Sequence, residues 1–180
     1  MRFLYYGIIF ISLIQACQPK NVQSEWPQPL EVLKTSAGPI AVYDYEHIEP
    51  LFQRNNDTTY VINFWATWCK PCVEELPAFQ QLDKEYKGRK VKVLLVSLDM
   101  KDDKVAERLG KFIQKKDLKS TVVFLDDPDA NSWITKVDPN WSGAIPATLI
   151  YNVEKRRFFE KSFDYETLSK ELEEVMGLEQ

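Results

Sequence analysis

One histidine, three cysteines and six glycines are all that 180 residues offer of these types. Three cysteines cannot stitch together a disulfide scaffold. A zinc site of about four ligands would have to be built from one Cys-x-x-Cys pair and His47, and no metal is expected. There is no basic excess either. Lys and Arg number 23 against 27 Asp and Glu, a net charge of −4, so the electrostatic footprint of a nucleic-acid binder is missing. Ten prolines beside six glycines exclude a collagenous or low-complexity chain. What remains, at 44% hydrophobic and 28% charged, is the composition of one ordinary globular domain.

No apolar run reaches the ~20 residues that a membrane-spanning helix needs. The longest, Phe3 to Ile14, follows the single early charge, Arg2, and its roughly 12 residues suit the core of an export signal. The segment Leu13-Ile14-Gln15-Ala16-Cys17 resembles a bacterial lipobox, with an aliphatic residue three before the cysteine and a small one directly before it. That resemblance implies cleavage before Cys17 and lipidation of its thiol. Several acyl chains are what stable anchoring requires. The expected organisation is a signal peptide over 1–16, a lipid-anchored tether over 17–30 and a folded domain over 31–180. The tether is polar and contains three prolines, which suits an extended spacer. The protein is then expected in the cell envelope, as a periplasm-facing lipoprotein on a bacterial membrane.

Along the body, strand and helix patterns alternate. Strands are expected at 40–43, 59–66, 90–98, 121–125, 147–152 and 157–162, where β-branched and aromatic residues concentrate. The continuous apolar run near Val93–Leu98 suggests a strand buried on both faces. Helices are expected at 45–54, 70–86, 102–116, 129–137 and from an Asp164 cap to Met176, each with apolar residues at helical spacing. Pro77 should kink the second of them. This order predicts an α/β fold whose central mixed β-sheet is flanked by helices on both faces and ends in an antiparallel hairpin.

Trp68-Cys69-Lys70-Pro71-Cys72 falls where a buried strand meets the start of a helix. Two thiols separated by two residues can close a disulfide. A helix N-terminus supplies positive potential and free N–H donors, which lower a cysteine pKa. Lys70 adds charge, and Pro71 is tolerated because first-turn N–H groups have no helical partner. Cys69, at the helix tip, is expected to attack a partner disulfide. Cys72, about one turn in, then resolves the mixed disulfide. No cofactor is needed beyond the Cys69–Cys72 pair.

Residues 61–72, Val-Ile-Asn-Phe-Trp-Ala-Thr-Trp-Cys-Lys-Pro-Cys, resemble the active-site segment of the thioredoxin superfamily, specifically its TlpA/ResA-like exported thiol-disulfide oxidoreductases. The similarity continues through Glu75-Leu76-Pro77 and 143–148. It implies a thioredoxin-like fold and an oxidoreductase acting on exported protein thiols or disulfides, with a membrane electron donor for a reductase or an acceptor for an oxidase; a reductase is expected. It implies a cis peptide at Pro146, and a substrate rim of Trp68, Lys70, Pro71, Ile145 and Pro146. It also implies a proton-handling role for Glu75, three residues after Cys72. Asn63 stands where cytoplasmic relatives carry a buried aspartate, so that relay is absent. Residues 99–117 resemble an extra helix of this branch, and Trp141 suits either the groove or the core.

Rival readings fit less well. A structural disulfide across two residues constrains little. A peroxiredoxin's reactive cysteine stands alone behind a Pro-x-x-x-Thr lead-in, which is missing here. A non-catalytic thioredoxin-fold lipoprotein acting as a binding or assembly subunit is the alternative of a different class.

Overall fold

The computed structural model describes residues 26–178. The expected signal peptide, Cys17 and the first part of the tether lie outside them. Among the described residues no helix is long and apolar enough to cross a membrane.

Seven strands form one mixed sheet in the order β1-β2-β5-β4-β3-β6-β7. At its centre lie β3 (Thr59–Trp65), β4 (Val91–Ser97) and β5 (Thr121–Leu125), parallel to one another and to β2 (Gly38–Tyr43). On one side β6 (Ala147–Tyr151) pairs antiparallel with β3, and β7 (Arg156–Phe159) with β6. On the other, β1 (Glu31–Thr35) pairs antiparallel with β2. Every residue of β3 is buried. In β4 only Lys92 is not fully buried, which is what a strand covered on both faces requires and explains the apolar run at Val93–Leu98.

Alternate residues of β3 feed two separate cores. Val61 and Trp65 pack with α2 (Lys70–Glu85), α3 (Val105–Lys116) and α5 (Tyr165–Met176). Tyr60, Ile62 and Phe64 pack on the opposite face with α1 (Tyr45–Ile48) and α4 (Ala130–Val137). Helices therefore cover both faces, as the alternation predicted, and the fold is thioredoxin-like. Trp141 sits in the second core, buried against Phe64, Trp133 and Phe158.

Three expectations need correction. The helix expected over 45–54 ends at Ile48 and continues as a 3-10 turn, Glu49–Gln53, because Pro50 has no N–H with which to extend the α pattern. The helix expected from 102 starts at Val105: the Asp102 carboxylate accepts from the Lys104 N–H and holds 102–104 as a turn. Strand β1 was not foreseen, and it begins inside the stretch next to the expected tether. The Leu30 N–H already donates to the Val42 carbonyl, and Tyr43 Oη donates to that of Pro27. The end of the spacer thus lies against the domain. Helix α2 runs on through Pro77 without interruption.

Candidate active site

The parallel strands β3, β4 and β5 all end at one edge of the sheet, and β6, running the other way, begins there. This places four loops together: the one before α2, the ones after β4 and β5, and the one leading into β6. Cys69 is the N-cap of α2, and its Sγ accepts from the Cys72 N–H at 3.3 Å. The first turn of the helix therefore points one of its free N–H groups, that of Cys72, at this sulfur. Pro71 lies in that same first turn, where its missing N–H costs no helical hydrogen bond.

Cys69 and Cys72 are joined by a disulfide with 5.3 Å between Cα atoms. Cys69 keeps 5% of its surface and Cys72 none, so any attacking thiolate reaches Cys69 first. The Ile145–Pro146 peptide is cis, and the Ile145 carbonyl oxygen lies 3.7 Å from Cys69 Sγ. Trp68 stands exposed beside the pair at 64%. Lys70 is also exposed, and its ammonium lies 3.7 Å from Glu74 on the next turn of α2. Part of the charge expected to favour the Cys69 thiolate is therefore shared with that carboxylate.

Glu75, one turn beyond Cys72, is only 3% exposed. Burial pushes its carboxyl up to about 7, against the pull of two donors, the Phe163 N–H and the Asn63 amide. Those donors reach Oε2 at 2.8 Å and Oε1 at 2.7 Å. Its neighbour Glu74, by contrast, is exposed and faces Lys70. Asn63 Nδ2 also donates to Thr148 Oγ1 at 3.2 Å, while Asn63 Oδ1 is buried with no partner among the described residues. An amide can serve both protonation states of its neighbour: Nδ2 donates to the carboxylate, and after a flip Oδ1 accepts from the protonated acid. An aspartate at 63 would place a second carboxylate against the first.

Two supports were not visible in the sequence. Asp99, just past β4, is buried. It accepts from the Thr67 N–H at 3.1 Å, from the Thr67 hydroxyl and from Ser97 Oγ at 2.9 Å. It ties the loop before Cys69 to the central strand. Arg108 of α3 backs it, with Nε 3.6 Å from Asp99 and further bonds to Asp102 and to the Met100 carbonyl. The second support is Glu160, whose carboxylate accepts from the N–H groups of Ser142 and Ala144 and from the Ser142 hydroxyl. These bonds, the Ser142 hydroxyl foremost, hold it below the usual carboxylate range, and they fix the loop that presents Pro146. Thr67 lies 32 residues from Asp99, and Ser142 and Ala144 lie 18 and 16 from Glu160, with nothing local to mark these pairs. Among the described residues no three His, Cys, Asp or Glu side chains converge as metal ligands.

Known proteins with similar chains point the same way. A thiol-disulfide oxidoreductase ResA of Bacillus thuringiensis is 30% identical over 115 residues, 64% of this chain and 60% of that protein. One from Oceanobacillus iheyensis is 54% identical over 39 residues, 22% and 20% of the two chains. The thioredoxin-like protein YneN of Bacillus subtilis is 65% identical over 26 residues, 14% and 15%. The chain thus matches between 15% and 60% of the length of these relatives. Among solved structures, a thioredoxin-related protein of Neisseria meningitidis superposes with a TM-score of 0.58 at 20% identity, over 68% of this chain and 87% of that one. A thiol:disulfide interchange protein of Chlorobium tepidum gives 0.57 at 17%, over 84% and 97%. These two establish the fold. Residues 44–156, from the cap of α1 into β7 and through the whole Cys69–Cys72 segment, match the AhpC/TSA family, and the chain belongs to that family.

Proposed function

We propose that this protein is a thiol-disulfide oxidoreductase that exchanges disulfides with exported protein clients, working as a reductase. The observation that carries the proposal is the disulfide between a helix-capping Cys69, which keeps a small part of its surface, and a fully enclosed Cys72. In the reduced protein the Cys69 thiolate attacks one sulfur of a client cystine. A mixed disulfide forms and a client thiolate leaves. Cys72 gives up its proton and attacks Cys69 Sγ, which re-forms the internal disulfide and releases the second client thiolate. The protein is oxidised by two electrons and the client is reduced by two. Glu75, as a carboxylate one turn away, is the acceptor for the Cys72 proton. A buried acid of pKa about 7 is matched to that task near neutral pH. The rim of Trp68, Ile145 and Pro146 receives the extended client backbone.

The electrons come from a donor in the membrane, and the domain is held there by lipid on Cys17 after removal of residues 1–16. The lipobox-like sequence and the polar spacer support this placement at the outer side of a bacterial membrane.

The pair Cys69→Ser and Cys72→Ser tests the chemistry. Removing Cys69 should abolish exchange with a cystine-containing protein. Removing Cys72 should leave one turnover that stops at a mixed disulfide, seen as a mass adduct on Cys69. Full exchange by the Cys69→Ser variant overturns the proposal.

A further inference from the structure

Beside the disulfide lies a groove of about 530 Å3 that runs from Trp68 and Ile145 to the loops following β4 and β5. Sulfur exchange alone does not require it. Leu98, Leu125, Trp133 and Ile134 give it an apolar lining. Trp68 and Met100 flank it at 64% and 76% exposure, two of the few large apolar side chains left uncovered. Uncovered apolar surface next to a concave site marks a contact for a partner.

The two loops that wall the groove, 99–104 and 126–129, carry six aspartates and two lysines, and Arg108 of α3 already pairs with two of those aspartates, Asp99 and Asp102. Lys101 is already matched, at 3.0 Å from Glu31 and 2.7 Å from Asp126. Asp127, in the groove wall, takes its hydrogen bonds from the backbone N–H groups of Tyr45 and Asp129. Among the described residues no cation lies within ion-pair distance of it. The mouth therefore keeps the uncompensated negative charge of Asp127 over an apolar lining, next to the sulfur that a client meets first.

We propose that this groove selects its clients: it takes an extended polypeptide segment with an apolar side chain near the reacting cystine and a lysine or arginine beside it. The proposal rests on the redox reading above and names the substrate class of that site. Apolar contact seats the segment, and complementary charge steers and discriminates it. Segments bearing acids near the cystine are disfavoured by the same field. Because the mouth is open to solvent, salt weakens the discrimination.

The test uses the full chain, reduced, and two disulfide-linked peptide dimers that differ only in carrying Lys or Glu around the cysteine. Each exchange rate is divided by that of dithiothreitol with the same peptide, which removes intrinsic reactivity. At low salt the Lys peptide should react at least tenfold faster than the Glu peptide, and 0.5 M salt should reduce the ratio several-fold. Two variants should move the ratio in opposite directions. Asp127→Asn lowers it, and Lys101→Ala, which frees Asp126 and Glu31, raises it. A ratio within one variant is insensitive to loss of folded protein. A wild-type ratio near one at low salt, or variants that shift it the same way, overturns the inference. 2-Hydroxyethyl disulfide separates this failure from a deeper one: if the reduced protein does not exchange with it, the redox reading itself falls.

Discussion

Glu75 holds a proton that an ordinary glutamate would have lost. Its carboxyl is pushed up to about 7 by burial, and the unfolded chain returns it to the usual range near 4.5. Below pH 4.5 both states are protonated. Between 4.5 and 7 only the folded state keeps the proton, so folding is favoured at low pH and loses stability as pH rises through 7. A shift of that size corresponds to about 3 kcal/mol. Glu75→Gln removes the titration, and the amide of Asn63 can flip to pair with it. The oxidised wild type should therefore lose about 3 kcal/mol relative to this variant between pH 5 and pH 8 in urea unfolding. Parallel pH profiles would contradict the buried, titrating carboxyl. The sequence showed Glu75 three residues after Cys72 but not its enclosure. That comes from Asn63 on β3 and Phe163 before α5, 12 and 88 residues away.

Among the elements, legibility followed burial. β3 and β4 were evident because strands covered on both faces are rich in β-branched and aromatic residues along most of their length. The cap of α2 was evident because the cysteine pair itself forms it. β1 escaped because it lies at the sheet edge with Val32 exposed and Leu33 half-buried, so neither face shows a clean alternation. It is held by its pairing with β2 and lies close against α3. A Cβ placed on Gly110 would lie 2.8 to 2.9 Å from Ser36, in the turn that joins β1 to β2, and from Thr35 at the end of β1. Gly110→Ala should push this hairpin away and cost about 1–3 kcal/mol, against the few tenths to one that alanine normally gains in a helix. Equilibrium denaturation decides the sign, and a stabilised variant would show that the hairpin is loosely seated. The same helix carries Arg108, so displacement at Gly110 bears on the loop around Asp99 and Met100.

At the scale of the whole molecule, the topology gathers the redox pair, the cis-proline loop and the acidic mouth at one edge of the sheet. The fold class was legible because strand and helix periods alternate with short connections. The two distant carboxylate supports, Asp99 and Glu160, were not, since a contact across the fold leaves no local pattern. The anchor belongs to this scale as well. If Cys17 is the lipidated residue, Cys17→Ser should move the protein from the membrane fraction to the soluble periplasmic fraction. A wild-type mature mass without acyl chains would refute the anchor.

The account turns on the Cys69–Cys72 pair being a reversible couple that reduces its clients. Equilibrating the full chain in a graded dithiol redox buffer, with the thiol state read by alkylation, tests this most directly. A two-electron transition with a midpoint near about −270 mV, thioredoxin's value, is the predicted result. A midpoint near about −120 mV would contradict the reducing direction, and a pair that stays oxidised across the whole range would contradict exchange itself.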